Sequence, residues 1–393
     1  MYEIFSPTDS CRLSTIQIAL ARQICNEAIQ SIEDRSHYVE KNHIDQYFAI
    51  PDANWSYDAP NEFLELFIRV SKCEPQDIEN LRALCQVFSG YNLYAVINAK
   101  GLRQADKIFS DTTAQEVKEN LVARNLAFID EWLGMVKDLP SKYLFKPPQL
   151  FGECGHLVKG VIVNNDTNTY QERVNIIYES GIGEWLERKL DSAKDIRICE
   201  IGGGYGALAF WFKQAFPQCS YTIIDLPESL LFSRLYLSLS IPQLKTSFGL
   251  ASATHGVRFL PNYMAEKLDE SFDLVINTLS MSEMSSHQVQ KYVDMIKDKW
   301  IKGDGLFFEQ NQDNRHMGLL STYNMFASKF QEHVNLNDEG RTYRNGLPNI
   351  WSNKKVRLEA KLPRYRPMHV RHWRSWLNTL RRIRSRFRNG SSN

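Results

Sequence analysis

Apolar side chains recur every three or four residues through the first third of the chain. This helical spacing covers residues 13–32, returns in shorter stretches that begin at 63 and 78, and continues over 113–136. Proline and glycine fall between these stretches, where they favour turns. We therefore predict a helical N-terminal domain over residues 1–140, with side chains that serve mainly as a scaffold.

After residue 190 the pattern changes to short β-branched segments that alternate with helical ones. Helical spacing begins again at Ala207, Pro227 and Gln288. An alternation of strands and helices predicts an α/β fold, with a Rossmann-like, doubly wound sheet over residues 191–358. The segments with the composition of buried strands are residues 196–201, 221–225, 257–260, 271–277 and 305–310.

A connecting segment, residues 141–190, joins these two parts and is rich in proline and glycine. Its position just ahead of the first strand is one from which a segment can close over a ligand. Its polar residues therefore have two interpretations, a structural loop or a contact with ligand. They are Asn164, Asn165, Asp166 and Arg173.

The first strand ends in a glycine turn, with glycines at positions 202, 204 and 206, directly before the helix that starts at Ala207. Glycine adopts positive φ without strain and lets a ligand approach the backbone closely. The second strand ends in Asp225, about 20 residues further on, where a carboxylate can accept hydrogen bonds from ribose hydroxyls. This arrangement predicts half of a nucleotide-binding sheet.

Two cofactors fit this unit. Gly202-x-Gly204-x-x-Ala207 satisfies the dinucleotide fingerprint, in which a helix N-terminus holds a pyrophosphate. Glu200, two positions before the first glycine, would repel a pyrophosphate but suits the amino group and sulfonium of S-adenosylmethionine. We favour S-adenosylmethionine and keep an NAD-dependent oxidoreductase as the alternative. An ordinary tight turn would leave the position of Asp225 unexplained.

Further polar residues follow the predicted strands. The carboxyl ends of parallel strands meet at one edge of a sheet, so we expect a site there. The polar residues at these ends are Glu200, Asp225, Asn277, Glu283, Glu309 and Asn311.

Composition sets the class of protein. Apolar residues make up 43% of the chain and charged residues 24%, as in soluble globular proteins. The N-terminal sequence lacks the features of a signal peptide, and the seven cysteines form no Cys-x-x-Cys pair, which indicates a reduced, cytoplasmic protein without a thiolate zinc site. Glu309, Asp313 and His316 are close in sequence, but their spacing matches no strong metal motif, so no metal is predicted.

The net charge of +1 conceals a basic tail. Residues 354–388 carry 13 basic residues against one acid, which leaves 34 basic and 45 acidic residues elsewhere. From Arg371 to Arg388, aromatic and aliphatic residues share one helical stripe among arginines. This pattern over residues 359–393 is typical of an amphipathic helix at an anionic membrane surface or against an assembly partner. A solvated helix and a nucleic-acid contact are the weaker alternatives.

The order of these segments resembles the class I S-adenosylmethionine-dependent methyltransferases. More narrowly, four stretches together resemble the bacterial sugar O-methyltransferases found beside surface-polysaccharide genes. The resemblance spans roughly residues 150–355 and does not reach the N-terminal domain or the tail. The stretches are Glu200-Ile-Gly-Gly-Gly-Tyr-Gly206, Ile224-Asp-Leu-Pro227, Asn277-Thr-Leu-Ser-Met-Ser-Glu-Met284 and Leu347-Pro-Asn-Ile-Trp351.

The resemblance implies roles for single residues. The three glycines would pass beneath the cofactor, Glu200 would hold its methionine end, and Asp225 its ribose; we group Asn277 with them. Glu283 and His287 lie four positions apart and are the candidates for the base that accepts the hydroxyl proton. The alternative role for Glu283 is to hold the sugar hydroxyls.

The predicted function is O-methylation of a sugar hydroxyl during assembly of a surface polysaccharide such as O-antigen or capsule. The acceptor is then a sugar or glycan, and the tail would hold the enzyme at the inner face of the membrane. Besides the oxidoreductase, a non-catalytic member of a glycan-assembly complex with the same fold stays open. An RNA methyltransferase is less consistent with the acidic body of the chain.

Overall fold

The computed structural model describes residues 2–6, 9–50, 62–89, 126–193, 195–315, 320–336 and 343–360. In the N-terminal part these include seven helices: α1 (Thr15–Glu33), α2 (Arg35–Lys41), α3 (Gln46–Ala49), α4 (Glu62–Ser71), α5 (Pro75–Glu79), α6 (Leu81–Ser89) and α7 (Leu126–Met135). The predicted helical character is confirmed for these ranges. Helix α1 starts where Ser14 and Gln17 form a reciprocal capping box, which satisfies the first amides of the helix.

A small antiparallel sheet was not predicted from the sequence. Strand β1 (Glu3–Phe5) pairs with β2 (Gly155–Val158), which pairs in turn with β3 (Val161–Val163). These strands have only three or four residues each, which is too few for an alternation of apolar and polar side chains to be recognised in the sequence. They tie the start of the chain to the connecting segment.

The main sheet has eight strands in the order β10-β11-β9-β8-β4-β5-β7-β6. All are parallel except β11, which runs antiparallel to both β9 and β10. This confirms the α/β, Rossmann-like fold. The strands are β4 (Arg197–Ile201), β5 (Ser220–Asp225), β6 (Thr246–Phe248), β7 (Val257–Pro261), β8 (Phe272–Thr278), β9 (Ile301–Gln310), β10 (Glu332–Asn335) and β11 (Pro348–Ser352).

Helices cover both faces of this sheet: α8 (Asn165–Glu179), α9 (Ile182–Ala193), α10 (Ala207–Ala215), α11 (Pro227–Ser240), α12 (Ser286–Met295) and α13 (Tyr323–Ala327). Alternate residues of β4 enter different hydrophobic cores, Ile198 on one face and Cys199 on the other. Because both faces are covered, the central strands are apolar throughout.

The direction of winding changes beside β4. From β4 the chain passes outward to β5 and the edge strand β6, returns to β7 between them, and then crosses to β8 on the other side of β4. In open α/β sheets such a switch point leaves a crevice at the carboxyl ends of the strands, where ligands bind.

The N-terminal helices pack on the sheet domain through α11. The side chain of Gln17 donates to the carbonyl of Leu239 at 2.9 Å, and Arg35 forms a buried ion pair with Glu228. The hydroxyl groups of Ser31 and Tyr263 lie 3.1 Å apart. Among the described residues, no helix combines the length and the apolar character needed to cross a membrane.

Several boundaries differ from the prediction. Strand β9 begins at Ile301, four residues before the predicted start, and α12 ends at Met295, followed by one π-helical turn to Trp300. Strands β6, β10 and β11 were not predicted, because in strands of three to five residues the alternation of apolar and polar positions is too short to be recognised. The tail from residue 361 onward, with its predicted amphipathic helix, lies outside the described residues, as do residues 113–125.

Candidate functional site

A cavity of about 160 Å³ lies at the switch point, over the carboxyl ends of β4, β5 and β8. The glycine turn forms its floor, and the loop after β8 forms one wall. Its lining combines carboxylates and amides with apolar and aromatic side chains, as in many small-molecule sites. The lining residues are Phe48, Tyr170, Arg173, Glu200, Gly202, Gly203, Gly204, Tyr205, Ile224, Asp225, Leu226, Ser229, Asn262, Thr278, Leu279, Ser280, Glu283, Met284, Gln288 and Tyr292.

The glycine turn requires residues without side chains at two positions. Gly202 has a φ of +73°, and a Cβ atom there would lie 2.1 Å from Oγ of Ser280. Gly206 has a φ of +92° and lies directly before α10. A larger residue would strain the backbone at either position and would displace Ser280 at the first. The predicted reason for the glycines therefore has a direct structural basis.

Glu200 lies beneath this turn at the end of β4 and is 2% exposed. Its Oε2 accepts a hydrogen bond of 2.9 Å from the phenol of Tyr221. Burial raises the pKa of Glu200 to about 7, an effect that Tyr221 and Arg173 oppose. Such a carboxylate gains most from a cationic ligand, because a positive charge nearby favours its ionised form.

Asp225, at the end of β5, is half-buried and is bonded to the backbone on both sides. Its Oδ2 accepts from the amide of Gly204 at 3.1 Å, and its Oδ1 accepts from the amide of Leu226 at 2.8 Å. Burial raises its pKa to about 6, although these hydrogen bonds oppose the rise. Each carboxylate oxygen has two lone pairs, so Asp225 keeps acceptor capacity toward a hydroxyl in the cavity.

Asn277 is fully buried and is not among the lining residues. Its amide donates to the carbonyl of Ile201 at 2.9 Å and to Oγ of Ser280 at 2.6 Å. The side chain thus connects the end of β4 to the loop after β8. The structure places it behind the cavity, in a position that supports the lining and lies away from a ligand. Its assignment to cofactor binding stays a prediction, and Asn277 does not line the cavity.

The loop after β8 is held in an unusual conformation at Leu279. This residue has a φ of 68° and a ψ of −39°, which is rare for a residue with a side chain. Its amide donates to the carbonyl of Gln310 at 2.9 Å, across from the end of β9. Leu279 itself lines the cavity. The strained position is therefore part of the wall that faces a ligand.

The two candidates for the catalytic base lie in different environments. Glu283 is half-buried and lines the cavity. His287 is exposed and is not a lining residue; its Nε2 lies 2.6 Å from Oδ2 of Asp45, which also pairs with Lys291 at 3.1 Å. Against the effect of burial, hydrogen bonds from His287 and Lys291 lower the pKa of Asp45 to about 2. The geometry brings Glu283, and not His287, into the site.

Two more residues of the predicted edge lie outside the cavity lining. Oε1 of Glu309 accepts from Asn349 at 2.6 Å and from Trp351 at 3.4 Å, and Oε2 accepts from Asn311 at 2.9 Å. Burial raises the pKa of Glu309 to about 7. Glu309 thus joins β9 to β11, which explains the Leu347–Trp351 stretch as a structural one.

Asp313 pairs with Arg315 at 2.6 Å, and His316 is outside the described residues. Within the part of the chain that the structure describes, no cluster of three or more histidine, cysteine, aspartate or glutamate side chains is arranged to hold a metal.

Four lining residues come from segments that the sequence left open or assigned to packing. Phe48 reaches the cavity from α3, where the amides of Asn262 and Gln288 donate to the backbone of residues 48–50. Tyr170 and Arg173 reach it from α8. Asn262 directly follows β7, as Asp225 ends β5, so the rule that identified Asp225 also identifies Asn262. Phe48 and Tyr170 carry no comparable signal.

The charges that line the cavity are unbalanced. Among the described lining residues there are three carboxylates, Glu200, Asp225 and Glu283, and a single cation, Arg173. When all are ionised, the lining has a formal charge of −2. The site therefore favours a ligand with net positive charge and disfavours a pyrophosphate.

No protein-family model matches the sequence, and no curated protein sequence matches it at a significant level. Solved structures with a similar fold include a probable spermidine synthase from Corynebacterium glutamicum, at 17% identity over 46% of this chain and 65% of that one, with a TM-score of 0.33. Human N-acetylserotonin methyltransferase in complex with SAM is 15% identical over 48% of this chain and 56% of its own, with a TM-score of 0.30.

Monomeric WbdD is a third similar structure, with 13% identity over 48% of this chain and 42% of its own and a TM-score of 0.32. The matched region spans less than two thirds of each of these three proteins. Similarity at these TM-scores does not indicate a shared function. The fold is assigned from the strand order of the sheet.

Proposed function

We propose that this protein is an S-adenosylmethionine-dependent O-methyltransferase. The observation that carries the proposal is the position of Glu200, buried beneath the glycine turn at the switch point of the sheet. S-Adenosylmethionine has a sulfonium and an ammonium group against one carboxylate, so its net charge is +1. That charge complements a lining with a formal charge of −2.

The cavity offers a place for each part of this cofactor. Glu200 is suited to the ammonium group, and Asp225 to the ribose hydroxyls. Ile224, Leu226 and Tyr292 form an apolar region suited to the adenine ring. NAD fits less well, because its pyrophosphate would face the same carboxylates.

Bound S-adenosylmethionine supplies a methyl group already activated by its sulfonium, so the protein's task is to align an acceptor oxygen and remove its proton. We assign proton removal to Glu283. In the transfer, the acceptor oxygen would form a bond to the methyl carbon, the sulfur would leave with the electron pair of the carbon–sulfur bond, and the Glu283 carboxylate would accept the hydroxyl proton. S-Adenosylhomocysteine and the methyl ether are the products.

We propose a sugar hydroxyl as the acceptor. This part of the proposal is supported by the four sequence stretches that resemble the sugar O-methyltransferases and by hydrogen-bonding groups in the cavity lining, Thr278, Ser280 and Gln288. Amide and hydroxyl groups suit the many hydroxyls of a sugar. We place the reaction in surface-polysaccharide assembly.

Calorimetry with the full chain tests the cofactor. Binding of S-adenosylmethionine and S-adenosylhomocysteine at micromolar concentration, with no heat from NAD, is the expected result. Binding of NAD alone would support the oxidoreductase instead. Failure to bind any of the three at millimolar concentration would favour a non-catalytic role.

A transfer assay tests the acceptor. Methyl-labelled S-adenosylmethionine is incubated with nucleotide sugars, free sugars and lipopolysaccharide, and the products are separated by mass spectrometry. We expect the label to appear on a sugar, with one labelled methyl group in place of one hydroxyl hydrogen. Label that appears only on RNA or protein would overturn the sugar assignment while leaving the methyltransferase intact.

A further inference from the structure

We infer that Arg82 is a positioning residue for the cofactor, because it fixes the glycine turn through the side chain of Tyr205. The inference rests on the proposed function and extends it to the N-terminal helices, where the sequence predicts mainly a scaffold. Arg82 lies on α6, is 2% exposed, and is not among the residues that line the cavity. Its effect on a ligand must therefore pass through another residue.

Tyr205 is the one residue of the glycine turn that has a side chain. Residues 202–206 are Gly-Gly-Gly-Tyr-Gly, and glycine loses more conformational freedom on ordering than any other residue. The amides of Gly202 and Gly206 form backbone hydrogen bonds of 2.8 and 2.9 Å, which fix part of the turn. Side-chain contacts can fix it only through Tyr205, which also lines the cavity.

The side chain of Tyr205 is held at its ring and at its hydroxyl group. The guanidinium carbon of Arg82 lies 3.8 Å from the centroid of the ring. The rings of Tyr170 and Tyr236 pack edge-on against it, at centroid distances of 5.7 and 5.0 Å. The phenol donates to Oδ2 of Asp166 at 2.6 Å. Since a cation attracts an aromatic face most strongly away from water, the buried Arg82 favours a single orientation of the ring.

Arg82 is itself fixed by two buried carboxylates. Its Nε donates to Oε2 of Glu153 at 2.8 Å, and its Nη2 donates to the same oxygen of Asp166 that accepts from Tyr205. Glu153 accepts in turn from Nδ2 of Asn164 at 2.7 Å. The planar guanidinium can bond to both carboxylates and cover the ring at the same time. The compact ammonium group of a lysine cannot do both.

These contacts couple the packing of α6 to the conformation of the turn. Binding costs less free energy when the turn is already ordered than when the ligand must order it. Loss of the contact between Arg82 and Tyr205 should therefore weaken the binding of a cofactor that lies against the turn. Because such coupling is reciprocal, a bound cofactor should in return stabilise α6.

The test compares Arg82→Lys with the native full chain. Lysine keeps a positive charge beside the two carboxylates but loses the planar surface over Tyr205. Calorimetry with S-adenosylhomocysteine should show about tenfold weaker binding in the variant, the effect of losing one buried cation–ring contact. The KM for S-adenosylmethionine should rise by a similar factor while kcat changes by less than about twofold, since Arg82 does not touch the reacting atoms.

Substitutions of Tyr205 show whether Arg82 acts through the ring. Tyr205→Phe keeps the ring beneath Arg82 and should retain most of the affinity for S-adenosylhomocysteine. Tyr205→Leu removes the ring and should lower the affinity by about tenfold. Adding Arg82→Lys to Tyr205→Leu should cause no further loss, because the contact is already absent.

Arg234→Lys is the matched control. Arg234 is buried on α11 and pairs with Glu27 of α1, so it also joins the N-terminal helices to the sheet domain. Its guanidinium lies over the rings of Phe248 and Phe259, outside the glycine turn and the cavity lining. This variant should bind S-adenosylhomocysteine as the native protein does.

Hydrogen exchange measures the reciprocal effect. S-Adenosylhomocysteine should slow exchange of the α6 amides in the native chain and in Arg234→Lys, and should slow it less in Arg82→Lys. A purely structural role of Arg82 would speed the exchange of α6 equally with and without ligand.

The outcomes distinguish the two proposals. Native affinity in Arg82→Lys, an equal loss in Arg234→Lys, or additive losses in the double variant would overturn the role of Arg82 and leave the methyltransferase standing. If Arg82→Lys does not fold, exchange in the native chain decides, since an α6 that the ligand leaves unchanged overturns the coupling. Failure of the native protein to bind S-adenosylmethionine or S-adenosylhomocysteine would overturn the proposed function, and this inference with it.

Discussion

The phenol of Tyr205 donates a hydrogen bond of 2.6 Å to Oδ2 of Asp166. Tyr205 lies between two glycines of the turn, whereas Asp166 is in the first turn of α8. Arg82 from α6 donates to the same carboxylate oxygen, and its guanidinium carbon lies 3.8 Å from the centroid of the Tyr205 ring. One buried polar cluster therefore connects the glycine turn, the connecting segment and the N-terminal helices.

Removing this hydroxyl should destabilise the protein. Tyr205→Phe leaves Asp166 with one fewer donor in a buried site, so we expect the free energy of unfolding to fall by about 1–2 kcal/mol. Urea unfolding monitored by circular dichroism measures the change. Tyr47→Phe is the control, because Tyr47 is 82% exposed. Equal stability of the two variants would contradict a structural role for the contact.

Glu200 should reduce the stability of the ligand-free protein above neutral pH. Its folded pKa, about 7, is above the ordinary value of 4.5, so its contribution to stability is complete below pH 4.5 and is lost as the pH rises through 7. Glu200→Gln should therefore be more stable than the native protein at pH 8, by about 1–3 kcal/mol, and close to it at pH 5.

Thermal unfolding at the two pH values measures this difference. A variant that is less stable than the native protein at pH 8 would contradict the raised pKa. The gain in stability should accompany a loss of affinity for S-adenosylmethionine, since a binding site is often optimised at the expense of stability.

Adding a single methyl group at Gly203 should weaken cofactor binding. A Cβ atom there would lie 2.7 Å from Cγ2 of Ile223 and 3.3 Å from Oε2 of Glu200. Gly203→Ala should therefore displace the Glu200 carboxylate and weaken cofactor binding by about tenfold, equivalent to about 1.4 kcal/mol. Gly160→Ala is the control for a methyl group without a clash: no atom lies within 4 Å of the added Cβ, although its φ of +77° adds backbone strain at a residue outside the cavity lining. Calorimetry that shows equal affinities for the two variants would argue against this contact.

Substitutions of Glu283 and of His287 should have different effects on activity in the transfer assay. Glu283→Gln removes the proposed base without changing the size of the side chain, and we expect kcat to fall by about 10²–10⁴-fold with little change in cofactor affinity. His287→Asn should retain most of the activity, because the structure places His287 outside the cavity lining, beside Asp45. The opposite result would return His287 to the role of base.

We propose that the tail between residues 371 and 388 binds anionic membranes. At about 1 kcal/mol for each cation near the surface, engagement of half of its basic residues would give reversible attachment. Flotation with liposomes that contain anionic lipid should carry the full chain upward, whereas a chain truncated after residue 360 should stay at the bottom. Neutral liposomes and high salt are the controls, since both remove the electrostatic attraction. Equal flotation of the two chains would end the proposal.

The sequence alone was sufficient for the five adjacent strands β9, β8, β4, β5 and β7, and for the residues next to them along the chain. Buried parallel strands are continuous apolar runs, and the acids and glycines that follow them are local features. For this reason Glu200, the three glycines and Asp225 were identified with the strands that carry them. Glu200, Gly202, Gly204 and Asp225 meet in one cavity, as a general rule for the carboxyl edge of a parallel sheet predicts, whereas Gly206 is not among the lining residues.

Only the tertiary structure decided which of the remaining polar residues face the cavity. Asn277 and Glu309 occupy strand ends as Glu200 does, yet their side chains bond to neighbouring strands and loops instead. Phe48 and Arg173 reach the cavity from segments distant in sequence, through the packing of α3 and α8. Local pattern specifies the strand on which a residue lies. The direction of a polar side chain depends on partners that only folding brings near, and those partners are not encoded within its own segment.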